Sequence, residues 1–395
     1  MKSLVAAFCF MLFAAPVAAE TVNVKVGVLR ETHARETLSI LDIPAADDTL
    51  AGALMGAADN NTTGKFTNQT FEAIDARLED GDDGDDVVAA LDALLDKGAL
   101  FIIADLSAER LLAASERAKS KGAVLFNISA TDDRLREADC RANVIHVAPT
   151  RSMLADGLAQ YLIWKQWRRW LLIKGSHPKD EFLAQAFRNS AKKFGAKIVE
   201  ERVYEDTGGG RRSDSGSVQT QRQIPVLTQN APAYDVLVAA DESDVFGGYL
   251  PYRTWDPRPV AGSGGLMPTS WDPSHEQWGA LQLQNRFTKT FRRLMNARDN
   301  AAWLAMRMVG EAATRTGSND PEKLRLYLLG DDFSIAAFKG VRLTLRPWNQ
   351  QLRQPILLSD GRMIVSVSPQ EGFLHQTSEL DTLGVDQPES KCKLK

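Results

Sequence analysis

Leu100-Phe-Ile-Ile-Ala104, then Ala108 to Ser120, then Ala123-Val-Leu-Phe-Asn127 is the stretch whose reading decides the fold. The first run is continuously apolar, without alternation, as a strand covered on both faces must be. Ala108 to Ser120 carries its apolar residues at helical spacing, and the run ending at Asn127 is a second covered strand. Strand, helix and strand with connections this short imply a parallel pair joined by a right-handed crossover.

The same rhythm extends in both directions. Val22 to Leu29 alternates as a strand ending at Arg30-Glu31, and Leu50 to Asn60 and Val87 to Lys97 read as helices. After Pro149 the pattern restarts, with a helix over Arg151 to Trp167 and a strand at Trp170-Leu-Leu-Ile173. A helix over Asp180 to Phe194 stopped by Gly195 follows, then strands at Lys197 to Val199 and Asp235 to Ala239. Two such halves predict an α/β protein of two lobes. Thr207 to Gln223, rich in Gly, Ser and Arg, reads as a surface loop. Helices are expected at Ala301 to Thr314 and Pro321 to Leu329. Pro355 to Val367 reads as a hairpin with a type I′ turn at Asp360-Gly361.

With 395 residues, 44% hydrophobic and 25% charged, the chain is long enough for two cores and is neither disordered nor a multi-span membrane protein. Lys+Arg 47 against Asp+Glu 51 leaves no basic surplus, which excludes a nucleic-acid binder. Residues 1–19 have a short positive end, an apolar run and small residues before Glu20. They read as a signal peptide for export to the periplasm, with a buried N-terminal helix as the alternative. Its removal takes away Cys9 and leaves Cys140 and Cys392, which an oxidising compartment should pair, tying the C-terminal tail to the first half. Two separate thiols are the alternative.

Catalytic patterns are scarce. His275-Glu276 lacks the second His of a zinc helix, and there is no Gly-x-Ser-x-Gly elbow or phosphate loop. The expectation is a binder, not an enzyme. The acidic run Glu79, Asp80, Asp82, Asp83, Asp85 and Asp86 could hold calcium or a trivalent ion, or be a solvated loop. Gly208-Gly-Gly-Arg-Arg212 could cradle an anion or be a flexible loop. Trp255, Trp271 and Trp278 lie in an irregular segment and are either ligand platforms or packing. Ligands of open α/β sheets sit beyond the carboxyl ends of strands. The candidates there are Arg30, Asp105 to Ala108 including Ser107, Ser129 to Asp132 including Thr131, Lys174 to Ser176, and Asp241 to Ser243 including Glu242.

Phe101-Ile-Ile-Ala-Asp-Leu-Ser-Ala108 and Asn127-Ile-Ser-Ala-Thr-Asp132 resemble the ligand-binding strand ends of type I periplasmic substrate-binding proteins of the branched-chain amino acid class. The resemblance implies two Rossmann-like lobes with parallel sheets, joined by a multi-strand hinge and closing on a small ligand. On that frame the first lobe takes residues 20–148 and about 262–330. The second takes 149–261 and about 331–368, and the tail is 369–395. Thr131 matches the family hydroxyl that holds a ligand carboxylate, while the serine expected after Ser107 is Ala108. The aromatic position after the Asp235 strand is occupied by Glu242 and the acidic partner of a ligand ammonium by Gly264. Losing that partner would strand a buried ammonium at a cost of several kcal/mol, which argues against a free amino acid.

Longer motifs are more specific: Asp59-Asn-Asn-Thr-Thr-Gly64, Ser270-Trp-Asp-Pro273, Glu276-Gln-Trp-Gly-Ala280, Gln350-Gln-Leu-Arg-Gln-Pro355 and Glu379-Leu-Asp-Thr-Leu-Gly384. They resemble the binding proteins associated with pyrroloquinoline quinone (PQQ)-dependent alcohol dehydrogenase systems. The implied ligand is PQQ, handed to an inner-membrane ABC permease. PQQ is a flat tricarboxylate that calls for an aromatic face and several cations, for which Arg30, Lys174, Arg253, Trp255 and Trp271 are the expected set. The alternatives are a small alcohol-derived or aromatic acid on the same fold, or a calcium- or lanthanide-related accessory protein of the dehydrogenase. No catalytic cofactor is expected.

Overall fold

A computed structural model describes residues 21–32, 43–78, 85–206 and 214–394. The expected signal peptide, most of the acidic run and Gly208 to Arg212 lie outside the described residues. The first unit runs β1 (Val22–Glu31), α1 (Leu50–Thr67), β2 (Gln69–Leu78), α2 (Asp85–Asp96), β3 (Phe101–Asp105), α3 (Ala108–Lys119), β4 (Val124–Asn127) and β5 (Val144–His146). Its strands form one parallel sheet in the order β2-β1-β3-β4-β5. Alternation splits the side chains between two cores. Val24, Val26, Val28, Phe101 and Ile103 face one, and Leu29, Ile102 and Ala104 face the other.

The second unit runs α4 (Arg151–Trp164), β6 (Arg169–Gly175), α5 (Pro178–Phe194), β7 (Lys197–Tyr204), α6 (Asp214–Thr228), β8 (Val236–Ala240), α7 (Leu250–Arg253) and β9 (Val260–Gly262). Its parallel sheet has the order β7-β6-β8-β9, with Trp170 and Leu172 facing one core and Leu171 and Ile173 the other. The chain then crosses on β10 (Met267–Thr269) and adds α8 (Ala280–Phe291), α9 (Ala297–Thr316) and α10 (Pro321–Leu329) to the first lobe. There α9 packs on α1 so closely that a Cβ at Gly52 would lie 1.9 Å from the Asp299 carbonyl oxygen. The remaining strands are β11 (Ile335–Ala336), β12 (Arg342–Leu345), β13 (Leu352–Arg353), β14 (Ile356–Ser359) and β15 (Ile364–Ser368).

Four readings change. Gln69–Leu78 is a strand that the sequence pattern does not reveal, because only Gln69, Phe71 and Leu78 are buried and its alternation lapses after Glu72. Helix α6 begins at Asp214, inside the stretch read as a surface loop; its polar composition hides a buried Ile224 and Thr228. The hairpin of β14 and β15 forms, but of its turn residues Gly361 has positive φ and Asp360 does not, so the turn is not type I′. Of the stretch expected in the second lobe, 331–368, Phe333, Ile335, Leu343, Leu345 and Leu352 pack into the first core. Only from Ile356 onward do its apolar side chains join the second.

Candidate functional site

The carboxyl ends of β3 and β4 lie side by side, with Ala104 paired to Asn127. Ser129 Oγ donates to the Leu106 carbonyl at 3.3 Å and so joins the two following loops. Asn127 shapes the second loop: its Oδ1 accepts from the Ala130 N–H and its Nδ2 donates to the Ala130 carbonyl. Ser107 stands at the start of α3 with its side chain free of any capping bond. Thr131 gives its carbonyl to the Arg151 N–H. Among the described residues no protein group engages the hydroxyl of either, and both are half-buried. Two unspent hydroxyls beside the orphan N–H groups of a helix N-terminus are suited to an anionic or hydrogen-bond-accepting ligand group.

Arg151 closes this site from the second lobe. It begins α4, where an arginine opposes the helix macrodipole, and is nonetheless buried. Its guanidinium makes a bidentate pair with Glu242 at 2.5 and 2.6 Å and reaches Asp132 at 3.2 Å. Burial works against its charge, but Glu242 and Asp132 outweigh that and hold it above its ordinary value. Thus one side chain brings the loop after β4 and the loop after β8 to the same place. Asp241 fixes the latter loop by accepting from the N–H groups of Val245, Phe246 and Gly247. Phe182 of α5 covers Arg151 with its ring centre 5.7 Å away and is itself 57% exposed. Arg151 is legible as a misplaced cation at a helix start; Phe182 leaves no sequence signal.

On the first-lobe side, buried Asp105 accepts from Thr49 Oγ1 at 2.5 Å and has Arg298 at 3.7 Å. Arg30 is spent on Asp75, through Nε at 2.8 Å and Nη2 at 2.9 Å, and on the Ala46 carbonyl.

The expected residues therefore divide. Thr131 and Glu242 come together at Arg151, Ser107 stands on the adjoining loop after β3 that Ser129 ties to the loop after β4, and Arg30 lies at the neighbouring strand end, already paired. Lys174 does not join them. The alternation that puts Trp170 and Leu172 on the α4–α5 face carries it there too, where it pairs with Glu181. Arg253 bonds Gln221 of α6, and the Trp255 N–H bonds Thr228 at the end of that helix. Because α6 runs back to start β8, Trp255 lies by the amino end of the second sheet, and Arg253 lies against the middle of α6. Trp271 is 2% exposed within the first core and packs edge-on against His275. It is packing, not a platform open to ligand. Among the described residues no group of His, Cys, Asp and Glu is arranged to hold a metal.

The profile of the periplasmic binding protein family matches residues 44–359. The chain belongs to that family. For this periplasmic binding protein a comparison with curated proteins finds no match. Solved structures match over nearly the whole chain. A branched chain amino acid ABC transporter periplasmic ligand-binding protein from Burkholderia xenovorans has a TM-score of 0.72 at 17% identity, covering 94% of this chain and 99% of its own. A solute binding protein of an ABC transporter from R. palustris, in complex with benzoate, has a TM-score of 0.64 at 13% identity, with the same coverages. The leucine-, isoleucine-, valine-, threonine- and alanine-binding protein from Brucella ovis, in a closed conformation, has 0.65 at 15%, again covering 94% and 99%. These likenesses establish the two-lobed type I fold. Membership brings a periplasmic location and makes the protein a binding protein and not an enzyme.

The long motifs now have physical roles in this periplasmic binding protein. Asp59 accepts from Trp303 Nε1 and Asn60 donates to the Met306 carbonyl, locking α1 to α9. Gln350, Gln351 and Gln354 satisfy backbone carbonyls of Arg141, Val144, His146, Ala148 and Val147 where the chain crosses between lobes. They tie the hinge backbone together.

Lys339 lies beside that hinge. It is 2% exposed, its Nζ donates to Gln354 Oε1 at 2.6 Å, and burial pushes its ammonium down to about 7. The unfolded chain then binds more protons than the folded one between about pH 7 and pH 10.5, so this residue makes stability rise with pH across that window. The slope is at most about 1.4 kcal/mol per pH unit. Lys339→Met should remove it, as read by denaturant unfolding at pH 7 and pH 9. Equal slopes in the two proteins would show that the amine is not desolvated.

Proposed function

We propose that this protein is the solute-binding component of an ABC importer and takes a small organic acid between its lobes, carboxylate first. The observation that carries the reading is the pair of unengaged hydroxyls of Ser107, at the start of α3, and Thr131, in the adjoining loop after β4. A carboxylate there would accept from both hydroxyls and from the first N–H groups of α3. The exposed ring of Phe182 offers an apolar face for the rest of the ligand.

Charge balance favours an acid with a single carboxylate over PQQ. The cations at these strand ends are already held by carboxylates: Arg30 by Asp75, Arg151 by Glu242 and Asp132, Lys174 by Glu181, and Arg298 more loosely by Asp105. A tricarboxylate would meet no surplus positive charge. The resemblance to proteins of PQQ-dependent alcohol dehydrogenase systems supports an alcohol-derived or aromatic acid, the kind of compound that alcohol oxidation supplies. PQQ itself is the second reading, carried by that same resemblance.

Calorimetric titration separates them. Aliphatic and aromatic monocarboxylates, their amides and PQQ are each added to the purified protein. The expected result is binding of an acid at micromolar Kd or tighter, about −8 kcal/mol, with its amide weakened at least tenfold. Binding of PQQ alone would replace the first reading by the second, and binding of none would remove both.

A further inference from the structure

The C-terminal segment after β15 runs over the hinge and is fastened on both sides of it. On the second lobe, Lys193 donates to the Thr382 and Gly384 carbonyls at 2.8 and 2.9 Å. Asp156 accepts the Gly384 N–H at 2.8 Å, and Leu383 is buried in the second core. Gly384 has φ 79°, and a Cβ there would press on Met153 Cγ at 2.8 Å, so the chain lies flat against α4. At the hinge, Arg346 and Arg353 share Asp381, and Arg346 also reaches the Leu380 and Leu383 carbonyls. On the first lobe, Glu137 accepts the Lys391 N–H at 2.8 Å, and Cys392 is disulfide-bonded to Cys140, as the sequence leads one to expect.

We propose that residues 384–392 form a strap across the hinge that limits how far the two lobes open. The last anchor on the second lobe and the first on the first lobe are Gly384 and Ser390, whose Oγ donates to Glu137 Oε1 at 3.4 Å. Six residues span at most about 22 Å when fully extended. Part of that reach is stored in the short 3₁₀ turn Gln387–Glu389, which Asp386 caps at the Gln387 N–H. Uncoiling such a turn releases only about 4 Å. The disulfide makes the first-lobe anchor permanent, whereas hydrogen bonds to Glu137 alone would open with local fraying. The strap leaves a closed form untouched and restrains an open one, so it acts on the ligand-free population. This inference stands whichever ligand the cleft takes.

The test measures lobe separation in the ligand-free full chain. Distance distributions between spin labels carried on unnatural residues at the exposed positions Lys119 and Gln185 are compared in three proteins. These are the unaltered strap, Cys392→Ser, and a chain with six Gly/Ser residues inserted after Glu389 and the disulfide kept. The expected result is a shift of about 5 Å or more to longer distance, with broadening, in both altered proteins. The lengthened strap keeps the Cys140–Cys392 bond and guards against a folding defect of the serine variant. Equal distributions in all three overturn the proposal. A change in Cys392→Ser alone also overturns it, because the disulfide would then be a local stabiliser and not the end of a tether.

Discussion

Replacing Asp381 by asparagine lowers the unfolding free energy by about 3–5 kcal/mol, the cost of breaking a buried ion pair by removing one partner. Arg346 and Asp381 are each 1% exposed, and Arg353 approaches the same carboxylate at 2.9 Å through Nε. Both guanidiniums lie over the Trp348 ring, at 5.6 and 5.3 Å from its centre. Burial already pushes the Arg346 guanidinium below its ordinary value, and Asp381 is what works against that. Asn keeps the shape and one acceptor, so what is lost is the charge that two cations share. Denaturant unfolding of Asp381→Asn beside Glu311→Gln, which breaks an exposed pair with Arg315, makes the comparison. The second should cost at most about 0.5 kcal/mol. Equal losses would mean that Asp381 is not buried in solution.

The double variant Ser107→Ala, Thr131→Val should bind the acid at least 100-fold more weakly than the unaltered protein. Each hydrogen bond to a charged group contributes about 1.5–3 kcal/mol, and two are removed. Neither hydroxyl has a protein partner among the described residues, so the melting temperature should stay within a degree or two. Calorimetry and a thermal melt on the same sample separate lost binding from lost fold. Unchanged affinity would move the carboxylate elsewhere.

Covered strands announced the fold. Phe101–Asp105, Val124–Asn127 and Val236–Ala240 are buried at every position, and their unbroken apolar runs leave no other reading. Gln69–Leu78 went unseen because an edge strand with one wet face has a diluted pattern. For the site, the strand-end rule names Ser107, Thr131 and Glu242, since position along a strand is legible, and the structure puts Thr131 and Glu242 against Arg151. Lys174 shows what is not: a residue at a strand end still chooses a face, and that choice follows from which neighbours fill each core. Trp271 and Trp255 failed for opposite reasons. Aromatic residues in an irregular segment serve packing or exposure alike, and only tertiary contacts buried the first and put the second by the wrong end of a sheet. Of the long motifs, Asp59 and Asn60 serve the packing of α1 on α9, and Gln350, Gln351 and Gln354 serve the hinge.

A crystal structure of the protein with the tightest-binding acid from the calorimetric panel tests the central claim most directly. The account predicts the carboxylate between the lobes, within hydrogen-bond distance of Ser107 Oγ, Thr131 Oγ1 and the first N–H groups of α3, with the remainder of the ligand against Phe182. A ligand whose carboxylate touches neither hydroxyl, or one seated outside the cleft, would contradict it.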